Sequence, residues 1–105
     1  MSETIIIGSD HAAYELKDKI AEYLKDKGIN VKDVGTFSGD SVNYPDYAAQ
    51  VAQSVEKKEC DRGILLCGTG LGMSMAANRY KGIRAALCND IFSAKMSRMH
   101  NNSNV

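Results

Sequence analysis

Neither sign of charge prevails in this sequence of 105 residues: thirteen lysines and arginines are balanced by thirteen aspartates and glutamates. With no broad basic face and no block of like charge, neither a nucleic-acid partner nor a charged binding tail is expected. Cysteine is scarce too. Cys60, Cys67 and Cys88 are odd in number and stand at no metal-ligand spacing, which argues against a disulfide framework and against a metal cluster. No apolar run approaches membrane-spanning length and no signal-peptide pattern opens the chain, so the expectation is a reduced, cytoplasmic protein without a membrane partner. Internal repeats, linkers and low-complexity stretches are missing as well. The length suits one domain with a thin core, in which contacts between copies contribute part of the burial.

What is present alternates. The β-branched run Thr4–Ile7 meets Gly8 and reads as a buried strand. From Ala12 to Lys27 the residues Leu16, Ile20, Tyr23 and Leu24 share one helical face, with Gly28 as a natural stop. "INVKDVG" predicts a second strand. The single proline, Pro45, stands near the first turn of a second helix whose buried stripe is Tyr47, Ala48, Val51, Ala52 and Val55. "RGILLC" predicts a third strand, Met73 to Arg79 a helix, "IRAALC" a fourth strand and Ile91 to Met99 a last helix. Such an order predicts an α/β fold with a parallel sheet and helices on both faces. For a strand order of 2-1-3-4 the ligand crevice lies between the first and third strands, where "GSDHA" and "CGTGLG" emerge.

Gly68, Gly70 and Gly72 free several backbone N–H groups to converge, which suits a phosphate or a developing oxyanion. The spacing is neither a dinucleotide fingerprint nor a P-loop, and a tight turn alone would also explain it. Cys67 precedes these glycines. A thiol beside amide donors is expected to have its thiolate favoured, as a base or nucleophile, although an ordinary cysteine there merely ends a strand. Cys60 and Cys88 have no such surroundings. Asp10 caps the following helix or serves chemistry, and His11 is a solvated turn residue or a ligand contact. His100, Asn101 and Asn102 follow the last helix. Asparagines there serve as C-caps, while His100 and His11 are the two candidates for a proton shuttle. Proton transfer next to a carbonyl and Cys-His hydrolysis both fit these residues.

Taken together, "GSDHAAYELK", "YPDYA", "LLCGTGLGMSMAANR" and "MHNNSNV" resemble the type B ribose-5-phosphate isomerases, a family that includes the galactose-6-phosphate isomerase subunits. The resemblance spans the whole chain. It implies a Rossmann-like three-layer α/β/α sandwich and an aldose–ketose isomerisation without metal or cofactor. The substrate implied is a sugar phosphate, ribose 5-phosphate of the pentose phosphate pathway first and a six-carbon phosphate of allose or galactose as the alternative. It also implies a homodimer or homotetramer with active sites shared between subunits. By the same resemblance Cys67 is the base between C1 and C2, His100 opens the ring with Asp10 assisting, and Thr69 helps orient Cys67. Gly68, Thr69, Gly70, Leu71 and Gly72 form the loop that holds the enediolate, His11 matches a phosphate contact, Asn101 a hydroxyl contact, and Tyr44 lines the pocket. A second branch of the family uses a glutamate base where this chain has Met73, so the chain falls in the cysteine branch. Family members continue past "NNSNV" through a fifth strand and a helix bearing phosphate-binding arginines. Residues 1–105 are thus expected to form one domain that is C-terminally incomplete, its fifth strand missing or just beginning at Val105. A non-catalytic, sugar-phosphate-binding subunit is the alternative function.

Overall fold

The computed structural model describes residues 3–105. Along the chain run β1 (Thr4–Ser9), α1 (Tyr14–Asp26), β2 (Asn30–Asp33), α2 (Tyr44–Glu56), β3 (Arg62–Leu66), α3 (Leu71–Ala77) and α4 (Ile91–Asn101). The three strands form one parallel sheet in the order β2-β1-β3, with Ile5 opposite both Val31 and Arg62. As the central strand, β1 is buried without interruption from Ile5 to Ser9, which is why its sequence is a continuous rather than an alternating apolar run. Helix α2 packs on β1 and β3 with α3 beside it, and α1 covers β1 and β2 from the other side. This is the expected α/β sandwich.

Helix α2 forms where its sequence says it should. Pro45 occupies its first turn, where a missing N–H costs nothing. Ala48, Val51, Ala52 and Val55 are buried, and they join Ile6, Cys60, Ala77 and Ile83 in the core. Each large aliphatic side chain in such a cluster contributes roughly 1.5–3 kcal/mol.

Helix α1 departs from its expected face. Leu16 and Tyr23 point outward, 54% and 59% exposed, while Lys17, Ala21 and Leu24 are buried. The stripe is turned because the Lys17 ammonium finds a carboxylate at the largely buried Asp33, and a second at the exposed Asp18. An apolar pattern alone places a lysine outside.

The chain's last third holds a second departure. Ile83 to Cys88, expected as a fourth strand beside the third, forms no strand. Gly63 N–H instead donates to the Asn104 carbonyl at 2.9 Å, Asn104 N–H to the Arg84 carbonyl at 3.0 Å, and Ala86 N–H to the Val105 carbonyl at 3.1 Å. Residues 104–105 therefore lie between β3 and residues 84–86, in the place beside β3 that the expected strand order gave to residues 83–88. The turn that delivers them follows α4. Asn102 takes the left-handed conformation that ends the helix, and the Ser103 hydroxyl donates to Ser97 Oγ at 2.8 Å in the interior. His100 and Asn101, expected beyond the helix, belong to its last turn.

Candidate active site

Strands β1 and β3 end side by side, and Asp10 N–H donates to the Leu66 carbonyl at 3.1 Å. The segments "SDHA" and "CGTGLG" therefore meet at the point where the sheet's connections diverge, the crevice that open parallel sheets offer to ligands. Asp10 closes the turn into α1: its Oδ1 accepts the N–H groups of Ala12 at 3.0 Å and Ala13 at 3.1 Å. Its second oxygen has no partner among the described residues. His11 Nδ1 accepts the Val42 N–H at 3.2 Å, which leaves Nε2 as the ring's donor.

Cys67 is half-buried at the mouth of the glycine loop, and its Sγ accepts the Gly70 N–H at 3.1 Å. That amide reaches the sulfur because Gly70 is left-handed, with φ of +81°. A Cβ at Gly70 would also stand 2.5 Å from Leu87 Cδ1. Thr69, expected to orient Cys67 through its hydroxyl, turns its Oγ1 to the Leu71 N–H at 3.2 Å, so the group that meets the sulfur is the Gly70 amide. The N–H groups of Gly68, Thr69 and Gly72 have no partner among the described residues. Tyr44 lies against the same loop: a Cβ on Gly72 would be 2.8 Å from its ring. The loop borders a cleft of ≈ 440 Å³ lined by residues 63–70 and 85–89, with Ile20, Met73, Ser74 and Val105. Met73 is 1% exposed and has no polar group to offer.

Two cysteines outside the loop behave differently from one another. Cys60 is buried, and that burial pushes its thiol up from its ordinary value, as befits an inert core residue. Cys88 is exposed and lines the Cys67 cleft. Its neighbourhood in sequence gave no sign of this, since the placement of residues 84–88 depends on residues 104–105. His100 is exposed on α4 and does not line the cleft. Asn101 borders a separate hollow of ≈ 350 Å³ with Asn78, Arg84 and Ser103, and its carbonyl accepts the Arg84 Nε–H at 2.6 Å. One chain thus places Asp10, with His11 next to it, beside the end of β3 and Tyr44 against the glycine loop that Cys67 opens, while His100 and Asn101 lie in the last turn of α4. Among the described residues no three histidine, cysteine or acidic side chains gather as a metal site would require.

Comparison with known proteins decides the family. Residues 5–105 match the ribose/galactose isomerase family. The chain belongs to that family. Ribose-5-phosphate isomerase B of Escherichia coli is 48% identical over 101 residues, covering 96% of this chain and 68% of that protein. D-erythrulose-4-phosphate isomerase of Pectobacterium atrosepticum is 46% identical over 103 residues, 97% of this chain and 68% of its own length. The crystal structure of a ribose 5-phosphate isomerase from Thermotoga maritima superposes with a TM-score of 0.96 at 60% identity, covering 99% of this chain and 72% of that one. As a member of the ribose/galactose isomerases, this protein is a sugar-phosphate isomerase of the aldose–ketose type. No helix among the described residues is long and apolar enough to cross a membrane.

Proposed function

We propose that the protein interconverts ribose 5-phosphate and ribulose 5-phosphate through a cis-enediolate, with Cys67 as the base. The observation that carries this reading is the Gly70 N–H directed at Cys67 Sγ, which fixes the sulfur beside free amide donors at the end of β3. In the open-chain aldose the sulfur takes the proton from C2. Negative charge then builds on the C1 and C2 oxygens, where the N–H groups of Gly68, Thr69 and Gly72 serve as preorganised donors. The O2 hydroxyl proton passes to O1 in the enediolate, the Cys67 thiol returns its proton to C1, and C2 becomes the carbonyl of the ketose. His11 Nε2 meets the phosphate, while Asp10, with one oxygen uncommitted, works near the ring oxygen. His100, exposed in the last turn of α4, opens the ring, and a second copy supplies it together with Asn101, as the resemblance to a family with shared sites implies. The apolar surface that α4 exposes through Ile91, Phe92 and Met99 supports such an association, in a homodimer or a pair of dimers.

The test is isomerisation of ribose 5-phosphate in deuterium oxide. A thiolate that shuttles the proton lets solvent deuterium enter at C1 of ribulose 5-phosphate, whereas a direct hydride shift carries none in. Cys67→Ala should lower turnover by about a thousandfold or more, since proton transfer by a positioned base contributes roughly 10²–10⁴-fold and nothing else on the loop replaces it. Cys88→Ala, in the same cleft, should retain near-normal turnover.

A further inference from the structure

Lys17 heads the fully buried side chains of the protein, and nothing in the isomerisation uses it. Its ammonium lies 2.6 Å from Asp33 Oδ2 and 2.7 Å from Asp18 Oδ1, with the Phe37 ring centroid 4.6 Å away. Burial opposes the charge, but bonds to the two carboxylates outweigh it, and the ammonium is held above the ordinary lysine range. Asp18 is 54% exposed and adds little on its own. Asp33 is the partner with further connections.

Those connections lead to the candidate site. The other oxygen of Asp33, Oδ1, accepts the Gly35 N–H at 2.9 Å. The Gly35 carbonyl accepts the Ser9 N–H at 2.7 Å, and the Thr36 N–H donates to the Ser9 carbonyl at 3.1 Å. Ser9 Oγ is buried without a partner, so Ser9 is held through its backbone alone. Asp10 follows it, fixed from the opposite side by Leu66. Further along the same loop, the Val42 N–H meets His11 Nδ1. An apolar side chain of similar length would fill the Lys17 space without desolvating a charge, and buried ion pairs are weak sources of stability. What the pair does touch is the start of the loop after β2, through the Asp33 carboxylate, the Gly35 N–H it accepts and the Phe37 ring.

We propose that Lys17, acting through Asp33, is a positioning residue for Asp10 and His11, because it sets the loop that grips the end of β1 and one nitrogen of the His11 ring. The assignment rests on Asp10 and His11 being substrate contacts of the isomerase. The full chain is to be compared with Lys17→Met, which keeps the stem and removes the ammonium, and with Lys17→Arg, which keeps the charge. One readout is the long-range proton–nitrogen spectrum of His11 without substrate, and the other is kcat and KM for ribose 5-phosphate. In Lys17→Met the His11 ring should lose its single Nε2-protonated form, and KM should rise about tenfold or more while kcat changes less, as misplacement of a binding group allows. Lys17→Arg should recover most of both. A folded Lys17→Met with an unchanged His11 spectrum and KM overturns the proposal, and so does equal impairment in both variants, which would mark a packing role. Should Lys17→Met not fold, Phe37→Leu decides: Phe37 is 66% exposed, and its ring flanks the ammonium. A smaller KM rise with a disturbed His11 spectrum supports the proposal, and no change in either overturns it. Absence of turnover in the unaltered protein would defeat the isomerase assignment instead, and the His11 spectrum would still judge the role of Lys17.

Discussion

Gly68 and Gly70 stand two residues apart in one loop, yet they are glycines for different reasons. At Gly70 the backbone is left-handed and a Cβ would strike Leu87, while at Gly68 no atom lies within 4 Å of where a Cβ would stand. Gly70→Ala should therefore destabilise the fold by roughly 1–3 kcal/mol, the usual cost of a side chain held in a sparsely populated region. It should also depress turnover, because the amide it moves is the one on Cys67 Sγ. Gly68→Ala should unfold in urea near the midpoint of the unaltered chain. A Gly70→Ala variant with normal stability and rate would show that this amide does not set the sulfur. From sequence the three glycines look equivalent. Their difference depends on Leu87 and Tyr44, which the fold brings from seventeen residues beyond Gly70 and twenty-eight before Gly72.

At the scale of elements, what was legible is what local pattern dictates. The apolar run of β1 and the small-residue stripe of α2 bury as their spacing predicts, since each needs nothing from elsewhere to choose its inner face. The wrong face on α1 and the absent strand at residues 83–88 share another cause: both are decided by partners distant in sequence, Asp33 for Lys17 and Asn104 for Arg84. Strand β1 also shows such a tie at its start. Arg62 donates through Nε and Nη2 to the two oxygens of Glu3, the latter at 2.7 Å, and so joins the entry of β3 to that of β1. The bonds from Arg62 hold the Glu3 carboxyl below its ordinary value, against the opposing effect of burial. A carboxyl lowered by folding contributes stability that is present above its unfolded value and is lost as pH falls through its folded value. Glu3→Gln should therefore unfold earlier than the unaltered chain at neutral pH, and the two urea midpoints should converge on the acid side of the glutamate range. Midpoints that stay equally far apart down to strong acid would show that the pair does not act through its charge. Because both groups are about a third exposed, the effect should also shrink in high salt.

For the molecule as a whole, the proposed site residues fall into two groups carried by different elements. Cys67, the glycine loop, Asp10 and His11 lie at the ends of β1 and β3 with Tyr44 against the loop, whereas His100 and Asn101 ride on α4, which among the described residues makes no extended contact with another helix or strand. Motif resemblance named all of them, but their separation is a fact of three dimensions that no motif carries. If a catalytic unit takes Cys67 from one copy and His100 from another, the defects of Cys67→Ala and His100→Asn should complement. Each variant alone should be nearly inactive on ribose 5-phosphate. In a dimer mixed at random, half the molecules carry one of each chain, and each such dimer holds one site with both residues intact, so activity should return to about one quarter of the unaltered level. Refolding the two variants together and assaying against protein concentration measures this, and dilution below the dimer's dissociation constant should abolish the recovered activity. No recovery, in a mixture shown by mass to contain the mixed dimer, would place His100 and Cys67 in the same subunit's site and would require α4 to move toward the cleft when substrate binds.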